Sequence, residues 1–258
     1  MANSIVLTEV DDAIAVITLN NPARRNALSA DLMAALTDAL TSLGADANVR
    51  AIIIRTDGPV FSAGHDLREL VGHDQDEYET VFELCTELMM VIGRLDQPVI
   101  AEVRGLATAA GCQLVAACDL AVASEEAQFA TPGVKIGLFC TTPGVAVSRT
   151  IPRKKAMEML LTGQPIDAAE AERAGLINRV VSSNELEEAT HALAKRIADA
   201  SASTVKLGKE AFYQQLEMGT DQAYQFAQSK MVENLAQADA KEGIQAFLEK
   251  RSPKWTGR

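Results

Sequence analysis

Two short stretches of the sequence combine small residues with the start of a helical pattern. The first is Phe-Ser-Ala-Gly-His-Asp-Leu at positions 61–67, and the second is Ala-Thr-Ala-Ala-Gly-Cys-Gln-Leu at positions 107–114. Each follows a strand by a turn of small residues that would let a ligand approach the backbone closely. The first N–H groups of a helix lack intrahelical acceptors and lie at its positive end. Two such ends converging on one point would stabilise a negatively charged oxygen. The same small residues also suit close packing of a strand against a helix, and neither stretch matches a glycine loop for nucleotides.

Few other side chains are placed for acid–base or nucleophilic chemistry. His65, inside the first stretch, has a pKa range that suits proton transfer. We expect its backbone N–H to matter more, with the imidazole pointing towards solvent or a pocket wall. Cys140 can act as a nucleophile only if its pKa is depressed, and a buried packing thiol is the simpler interpretation. His73 and His191 stand alone in polar surroundings, so we predict surface positions for both and no metal site.

Strands that alternate with helices must position these stretches. The apolar pattern predicts strands at 5–8, 13–19, 51–55, 99–103, 120–123 and 178–181, and helices at 30–43, 74–94, 110–118, 143–150, 153–162 and 167–174. From residue 186 onward nearly everything has a helical pattern. Alternating elements favour a parallel sheet with right-handed crossovers. We therefore expect an α/β core to about residue 200 and a helical C-terminal part.

Charge and composition exclude some classes of protein. Lys and Arg number 24 against 35 Asp and Glu, a net charge of −11, whereas nucleic-acid binding requires a basic face. A small phosphate-bearing ligand needs only a few local basic side chains. No apolar run reaches the roughly 18 residues that span a bilayer, and no secretory signal pattern is present. The four cysteines form no Cys-x-x-Cys pair. We expect reduced buried thiols, no membrane association and a cytoplasmic setting.

Taken in order, the motifs resemble the crotonase (enoyl-CoA hydratase/isomerase) superfamily. The resemblance covers essentially the whole chain and extends beyond the two stretches to positions 20–28 (Asn-Asn-Pro-Ala-Arg-Arg-Asn-Ala-Leu), 129–132 (Phe-Ala-Thr-Pro), 161–163, 168–181 and 242–251. Within the superfamily, residues 129–152 look closest to the branch called enoyl-CoA hydratase domain-containing protein three.

This resemblance implies a fold, an assembly and a ligand. The expected fold is α/β, with a crotonase-like ββα spiral core that carries an acyl-CoA site at residues 1–200. A helical trimerisation region is expected at residues 201–258, with homotrimers that can pair into hexamers. The implied ligand is an acyl-CoA thioester, so coenzyme A enters as part of the substrate and no cofactor is bound covalently.

The resemblance also assigns roles to particular residues. The backbone N–H groups of His65 and Ala110 would hold the thioester oxygen. Contacts to coenzyme A are implied for Arg24, Arg25, Ala63, Asp66 and Leu67, and a neighbouring subunit's coenzyme A would be reached by Phe247 and Lys250.

The sequence departs from the family pattern at both catalytic carboxylates. Family hydratases use two glutamates, and their positions hold Gln113 and Gly133 here. General acid–base groups contribute about 10²–10⁴-fold each, so we expect hydration to be weak or absent. Cys140 and Thr141 are speculative replacements, because some family dehalogenases carry a nucleophile close by. The alternatives are a non-catalytic acyl-CoA binder or sensor, and another oxyanion-hole reaction such as isomerisation or thioester hydrolysis.

Overall fold

The structure is a computed structural model that describes residues 4–257. The strands are β1 (Val6–Asp11), β2 (Ile14–Leu19), β3 (Ala51–Thr56), β4 (Val60–Ser62), β5 (Val99–Val103), β6 (Leu106–Thr108), β7 (Leu120–Ser124), β8 (Gln128–Ala130), β9 (Ile166–Asp167) and β10 (Arg179–Val181). The helices are α1 (Ala30–Gly44), α2 (Gln75–Arg94), α3 (Ala110–Ala117), α4 (Thr141–Thr150), α5 (Arg153–Thr162), α6 (Ala168–Ala174), α7 (Leu186–Ala198), α8 (Ala202–Leu216), α9 (Thr220–Ala236) and α10 (Ala238–Glu249).

The larger sheet has the order β1-β2-β3-β5-β7-β10. Its first two strands form an antiparallel hairpin, and every later pair is parallel, as expected. The central strands are buried on both faces, which is why the run from Ile52 to Ile54 is uniformly apolar. Helices α1 and α2 share a core with one face of this sheet, and α7 packs on the other.

Local signals fix the ends of the helices around this core. The Ser29 hydroxyl accepts a hydrogen bond from the Leu32 N–H at 3.3 Å and so caps α1, which was predicted to begin at residue 30. The Asp74 carboxylate and Glu77 form a reciprocal capping box at the start of α2. The buried face of α1 carries Leu32, Leu36 and Leu40, all fully buried. The predicted amphipathic helices are therefore confirmed.

A second sheet was not predicted. It has the order β4-β6-β8-β9, and its strands are only two or three residues long. Strands this short carry too few residues to show an alternating pattern. With them, the chain reads as successive β-β-α units: β1-β2-α1, β3-β4-α2 and β5-β6-α3. The expected α/β core followed by C-terminal helices is observed.

Helix α8 is joined to the core by a buried ion pair. The Lys209 ammonium donates to the carbonyl oxygens of Ile92 and Gln97, each at 2.9 Å, and to the Asp119 carboxylate at 2.7 Å. Asp119 also accepts from the Val99 N–H at 2.7 Å. Both charged side chains are nearly buried, at 6% and 12% exposure. This pair connects the C-terminal helices to the end of α2 and the start of β5.

The last residues of the described chain are held by Asp239, at the start of α10. Its carboxylate accepts from the Ser201 hydroxyl at 2.7 Å and from the backbone N–H groups of Thr256 at 2.7 Å and Gly257 at 2.9 Å. Burial alone would raise the pKa of Asp239, but these hydrogen bonds outweigh it and lower the pKa to about 2. The division at residue 200 stays a prediction, and the ion pair between Lys209 and Asp119 crosses it.

Candidate active site

The smaller sheet brings three loops to one edge. Strand β4 pairs in parallel with β6, and β6 pairs in parallel with β8. The carboxyl ends of parallel neighbours lie at the same edge of a sheet. The loops that follow these strands begin at Ala63, Ala109 and Thr131. Both sequence stretches, and the loop that contains Gly133, therefore meet at one place.

The first turn is held by side chains that the sequence analysis did not single out. The Ser62 hydroxyl donates to the Asn26 carbonyl at 2.8 Å and accepts from the Gly64 N–H at 3.2 Å. The buried Asn26 amide donates to Thr56 and to the Val60 carbonyl, which anchors the loop before α1. Asn26 has a left-handed φ of +48°, a conformation that asparagine tolerates better than most residues.

The second turn contains a strained residue. Ala109 has φ +51° and ψ −119°, a conformation that residues with a Cβ rarely adopt. Its N–H donates to the Ala130 carbonyl at 2.9 Å, and its carbonyl accepts from the Gln113 N–H at 3.0 Å. The strain turns the chain sharply from β6 into α3 and leaves the first N–H of the helix, that of Ala110, facing the neighbouring loops.

The two turns interlock through their glycines. A Cβ on Gly64 would lie 2.8 Å from the Ala109 Cβ and 3.1 Å from the Ala110 nitrogen. A Cβ on Gly111 would lie 2.8 Å from the Ser62 Cβ. Within residues 4–257, the N–H groups of His65 and Ala110 make no hydrogen bond. The structure therefore places the His65 and Ala110 N–H groups in adjacent turns and leaves both without an acceptor in the described part of the chain.

The His65 side chain lies against a wall and not in solvent. Its ring makes an edge-to-face contact with Phe82 of α2, with 5.2 Å between the ring centroids. Its Nε2 is buried and has no hydrogen-bond partner within residues 4–257. Burial lowers the pKa of His65 to about 4, so the imidazole is neutral at physiological pH. Of the two orientations expected, towards solvent or towards a pocket wall, solvent is excluded for Nε2, and the ring lies against Phe82.

Gln113 and Gly133 lie in the second and third loops. Gln113 is buried, and its Oε1 accepts from the Cys85 thiol, with 3.9 Å between sulfur and oxygen. Gly133 is enclosed, because a Cβ there would lie 2.5 Å from the Leu138 carbonyl oxygen and 2.8 Å from the Cys140 sulfur. The Gly133 N–H donates to that sulfur at 3.3 Å. Position 133 therefore lacks a carboxylate and also lacks the space for one.

The two speculative replacements gain little support from their surroundings. Cys140 is buried, and burial raises the pKa of its thiol, which disfavours a nucleophilic thiolate. Thr141 is exposed and begins α4. The four cysteines are all free and buried, as predicted. Among residues 4–257, no group of three His, Cys, Asp or Glu side chains is arranged to hold a metal ion.

Basic residues cluster beside the first turn. The Arg24 guanidinium lies 3.4 Å from the Asp66 carboxylate, and the Arg25 carbonyl accepts from the Ala63 N–H at 3.0 Å. Asp66 is buried and receives a two-pronged ion pair from Arg68, at 2.8 and 2.5 Å. The Arg68 hydrogen bond is the main reason that the pKa of Asp66 is lowered. Arg68 was missed, although a basic residue two positions after Asp66 was visible in the sequence.

The remaining predicted contacts lie on exposed surfaces. Leu67 follows Asp66 and is 50% exposed. Phe247 is 82% exposed on α10, which packs mainly against α8 and α9. Lys250 ends α10 in a left-handed conformation with φ +56°. Within one chain, Phe247 and Lys250 do not belong to the cluster of loops.

Comparison with known proteins agrees with this geometry. The family model described as Enoyl-CoA hydratase/isomerase matches residues 9–258. Enoyl-CoA hydratase domain-containing protein 3, mitochondrial, of Rattus norvegicus is 51% identical over 250 residues, which cover 96% of this chain and 83% of the relative. The chain belongs to the enoyl-CoA hydratase/isomerase family.

Solved structures of this family confirm the predicted fold and branch. The crystal structure of human enoyl-CoA hydratase domain-containing protein 3 has a TM-score of 0.96 and 49% identity, and the match covers 98% of this chain and 100% of the human chain. An enoyl-CoA hydratase from Mycobacterium smegmatis also has a TM-score of 0.96, at 45% identity, with 98% and 99% of the two chains covered.

The predicted cytoplasmic setting is contradicted by the family comparison. The curated relatives at about 50% identity, from Rattus norvegicus to Homo sapiens, are named as mitochondrial proteins. Buried free thiols are compatible with either compartment, so the composition did not carry that prediction. Separately, none of the helices between residues 4 and 257 is long and apolar enough to cross a membrane.

Proposed function

We propose that this chain binds acyl-CoA thioesters and hydrates enoyl thioesters weakly or not at all. The observation that carries the proposal is the pair of interlocked turns. Their His65 and Ala110 N–H groups have no acceptor among residues 4–257, and neither catalytic position carries a carboxylate. Such a pair of donors stabilises a thioester oxygen as negative charge develops on it. Hydration also needs a group to activate water and a group to deliver a proton, and neither is present at 113 or 133.

Binding of the coenzyme A portion is proposed for the basic cluster beside the first turn. Arg24, Arg25 and Arg68 would meet the phosphates, and the backbone from Ala63 to Leu67 would line the adenine. The Asp66 carboxylate holds Arg24 and Arg68 in place, so its role is to position them. This cluster gives a protein of net charge −11 a local attraction for a phosphate-bearing ligand.

A homotrimer or hexamer is part of the proposal. The C-terminal helices expose large apolar side chains, among them Tyr224, Met231, Val232 and Phe247. Exposed apolar surface of this extent is typical of an interface. In that assembly, Phe247 and Lys250 would reach the coenzyme A of a neighbouring subunit. The region from residue 201 to 258 would then serve oligomerisation, with the acyl-CoA site in residues 1–200.

The test is a panel of coenzyme A esters, with calorimetric binding and crotonyl-CoA hydration measured on the same samples. We expect binding with hydration close to background. Hydration with kcat near the roughly 1–10³ s⁻¹ usual for enzymes would overturn the proposal. Thioester hydrolysis or isomerisation without hydration would place the chemistry among the other oxyanion-hole reactions.

One variant examines the acid–base argument directly. Gln113→Glu supplies a single carboxylate within the existing pocket, and one such group contributes about 10²–10⁴-fold. We expect hydration to rise above background while staying far below that of a two-glutamate enzyme. Gln164→Glu, on an exposed loop, is the matched control and should leave hydration unchanged. A flat response to Gln113→Glu would mean that position 113 does not face the reacting carbon.

A further inference from the structure

A cavity lies on the face of the larger sheet that α7 covers, and none of its lining residues belongs to the three loops of the candidate site. Its volume is about 310 Å³, near the lower end of the range for pockets that hold small ligands. The floor is apolar, because Val16 of β2 and Ile53 of β3 line it and are nearly buried. The other lining side chains are charged or titratable: Glu9, Asp11, Arg55, Glu102, Glu187 and His191. Four carboxyl groups against one guanidinium give the cavity an excess of acidic groups.

Strand pairing places a basic and an acidic side chain next to each other on this face. Strands β3 and β5 are parallel, and Ile54 pairs with Ala101, so the next residues of the two strands are Arg55 and Glu102. Alternate residues of a strand share a face. Arg55 therefore points the same way as Ile53, which belongs to the apolar cluster beneath α7. The two neighbouring side chains thus both border the cavity.

The guanidinium of Arg55 is used by other acceptors. Its Nη1 donates to the Glu187 carboxylate of α7 and its Nη2 to the Glu9 carboxylate of β1, each at 2.9 Å. Its Nε donates to the Thr18 hydroxyl at 3.2 Å. Within residues 4–257, Arg55 forms no ion pair with Glu102. The single basic side chain of the cavity is therefore shared by two of the four carboxylates, and neither of the two is that of Glu102.

Glu102 is a buried carboxyl group that borders the cavity without a partner of opposite charge. The residue is only 6% exposed. The hydroxyl of Thr190 lies close to it, but the only proton of that hydroxyl is donated to the Leu186 carbonyl at 2.8 Å. Burial raises the pKa of Glu102, and the attraction of Arg55 does not cancel that effect. A buried carboxylate without a partner costs free energy, and a cation entering the cavity would offset this cost.

We propose that this cavity binds a small organic cation, whose ammonium group pairs with the Glu102 carboxylate while its carbon chain lies on Val16 and Ile53. The apolar floor suits a carbon chain better than a hydrated metal ion. Moreover, no group of three His, Cys, Asp or Glu side chains among residues 4–257 is arranged to hold a metal. The excess of acidic groups opposes an anionic ligand. This site is therefore separate from the proposed acyl-CoA site and does not depend on it.

Butylammonium is the probe, and 1-butanol is its uncharged counterpart of similar shape. Both, and MgCl₂ as a third ligand, are titrated at constant ionic strength into the wild-type, Glu102→Gln and Glu83→Gln proteins, and binding is followed by the rise in Tm. We expect butylammonium to stabilise the wild type and 1-butanol and MgCl₂ to have no such effect. Glu102→Gln should weaken butylammonium binding at least about 30-fold, the loss typical of removing one partner of a buried charge pair. Glu83→Gln, exposed on α2, is the matched control and should bind as the wild type does.

Three results would overturn the proposal. Equal stabilisation by 1-butanol would show that the charge is not recognised, and unchanged affinity in Glu102→Gln would place the amine elsewhere. Stabilisation by MgCl₂ that is lost in Glu102→Gln would make the occupant a metal ion. If Glu102→Gln does not fold, the ¹³C signal of the Glu102 carboxyl group in the wild type carries the test. It should move with butylammonium and stay in place with 1-butanol, and a signal unmoved by both would refute the inference.

Discussion

Gly133 offers a direct test of how the third loop is built. A Cβ at this position would lie 2.5 Å from the Leu138 carbonyl oxygen and 2.8 Å from the Cys140 sulfur, both far inside contact distance. The φ of Gly133 is not positive, so the backbone conformation itself admits any residue. We therefore expect the entire cost of Gly133→Ala to come from overpacking, about 1–3 kcal/mol of unfolding free energy. For a chain of this length, that corresponds to a Tm lower by roughly 2–12 °C.

Thermal and urea unfolding of matched variants measure this cost. Gly93→Ala, within α2, is the control because no atom of residues 4–257 outside the local backbone lies within 4 Å of its added Cβ. Alanine replaces glycine there in a helix, so we expect a gain of up to about 1 kcal/mol. Cys140→Ala in the Gly133→Ala background removes one of the two close contacts. The double variant should recover part of the loss but not all of it, since the Leu138 oxygen belongs to the backbone.

The same contacts decide whether the chain differs from a hydratase only in the two missing carboxylates or also in the shape of the third loop. If the loop from 133 to 140 has closed over the second catalytic position, Gly133→Glu should be unstable and should not restore hydration. A Gly133→Ala variant as stable as the wild type would show that the loop yields easily, and the reasoning would fail. A folded Gly133→Glu variant that hydrates crotonyl-CoA would contradict it more directly.

Three further predictions concern stability. Lys209→Met should lower the free energy of unfolding in urea by about 3–5 kcal/mol, because it leaves the buried Asp119 charge unpaired. The exposed control Lys206→Met should lower it by less than about 1 kcal/mol. Equal losses would refute the argument. The pKa of Asp239 is lowered from 3.8 to about 2 in the folded state, so its stabilisation is complete above its ordinary pKa and is lost as pH falls through that interval. Asp239→Asn should flatten this part of the stability curve, measured by urea midpoints at a series of acidic pH values, and an unchanged curve would contradict the assignment. Ala109→Gly should raise the free energy of unfolding by about 1 kcal/mol, because glycine adopts this backbone conformation without strain. A lower Tm for the variant would show that the turn is not strained.

The larger elements of the fold could be predicted because each carries its own periodic pattern. Helix α1 shows its apolar face and its Ser29 cap within one segment, and β3 is a run of buried isoleucines. The smaller sheet could not be predicted in this way. Strands β4 and β6 have three residues each, and their pairing is decided by contacts between residues about 45 positions apart. Propensity within a segment carries no information about such a partner.

The residues of the candidate site could be predicted from the sequence, but the packing around them could not. The sequence shows that positions 113 and 133 lack carboxylates, and the family resemblance identifies them as the positions of the two catalytic glutamates. It does not report that the Leu138 carbonyl and the Cys140 sulfur occupy the room at 133. Nor does it report that Nε2 of His65 is buried without a hydrogen-bond partner in the described part of the chain, beside Phe82, 17 positions further along. Both facts arise from packing between elements, which no local pattern contains.

One ambiguity in the sequence is reduced by backbone strain. Small residues at 107–111 are equally suited to a ligand site and to close packing of β6 against α3. Packing alone is served by alanines in ordinary conformations, yet Ala109 is held at φ +51°. Strain of this kind costs about 1–3 kcal/mol and persists where surrounding contacts impose it, most often at functional sites. Here the imposing contacts are the Ala130 carbonyl and Gly64, and the outcome is a free Ala110 N–H beside that of His65. A turn that served packing alone would have no use for an N–H left without an acceptor among residues 4–257, so the strain favours the ligand site.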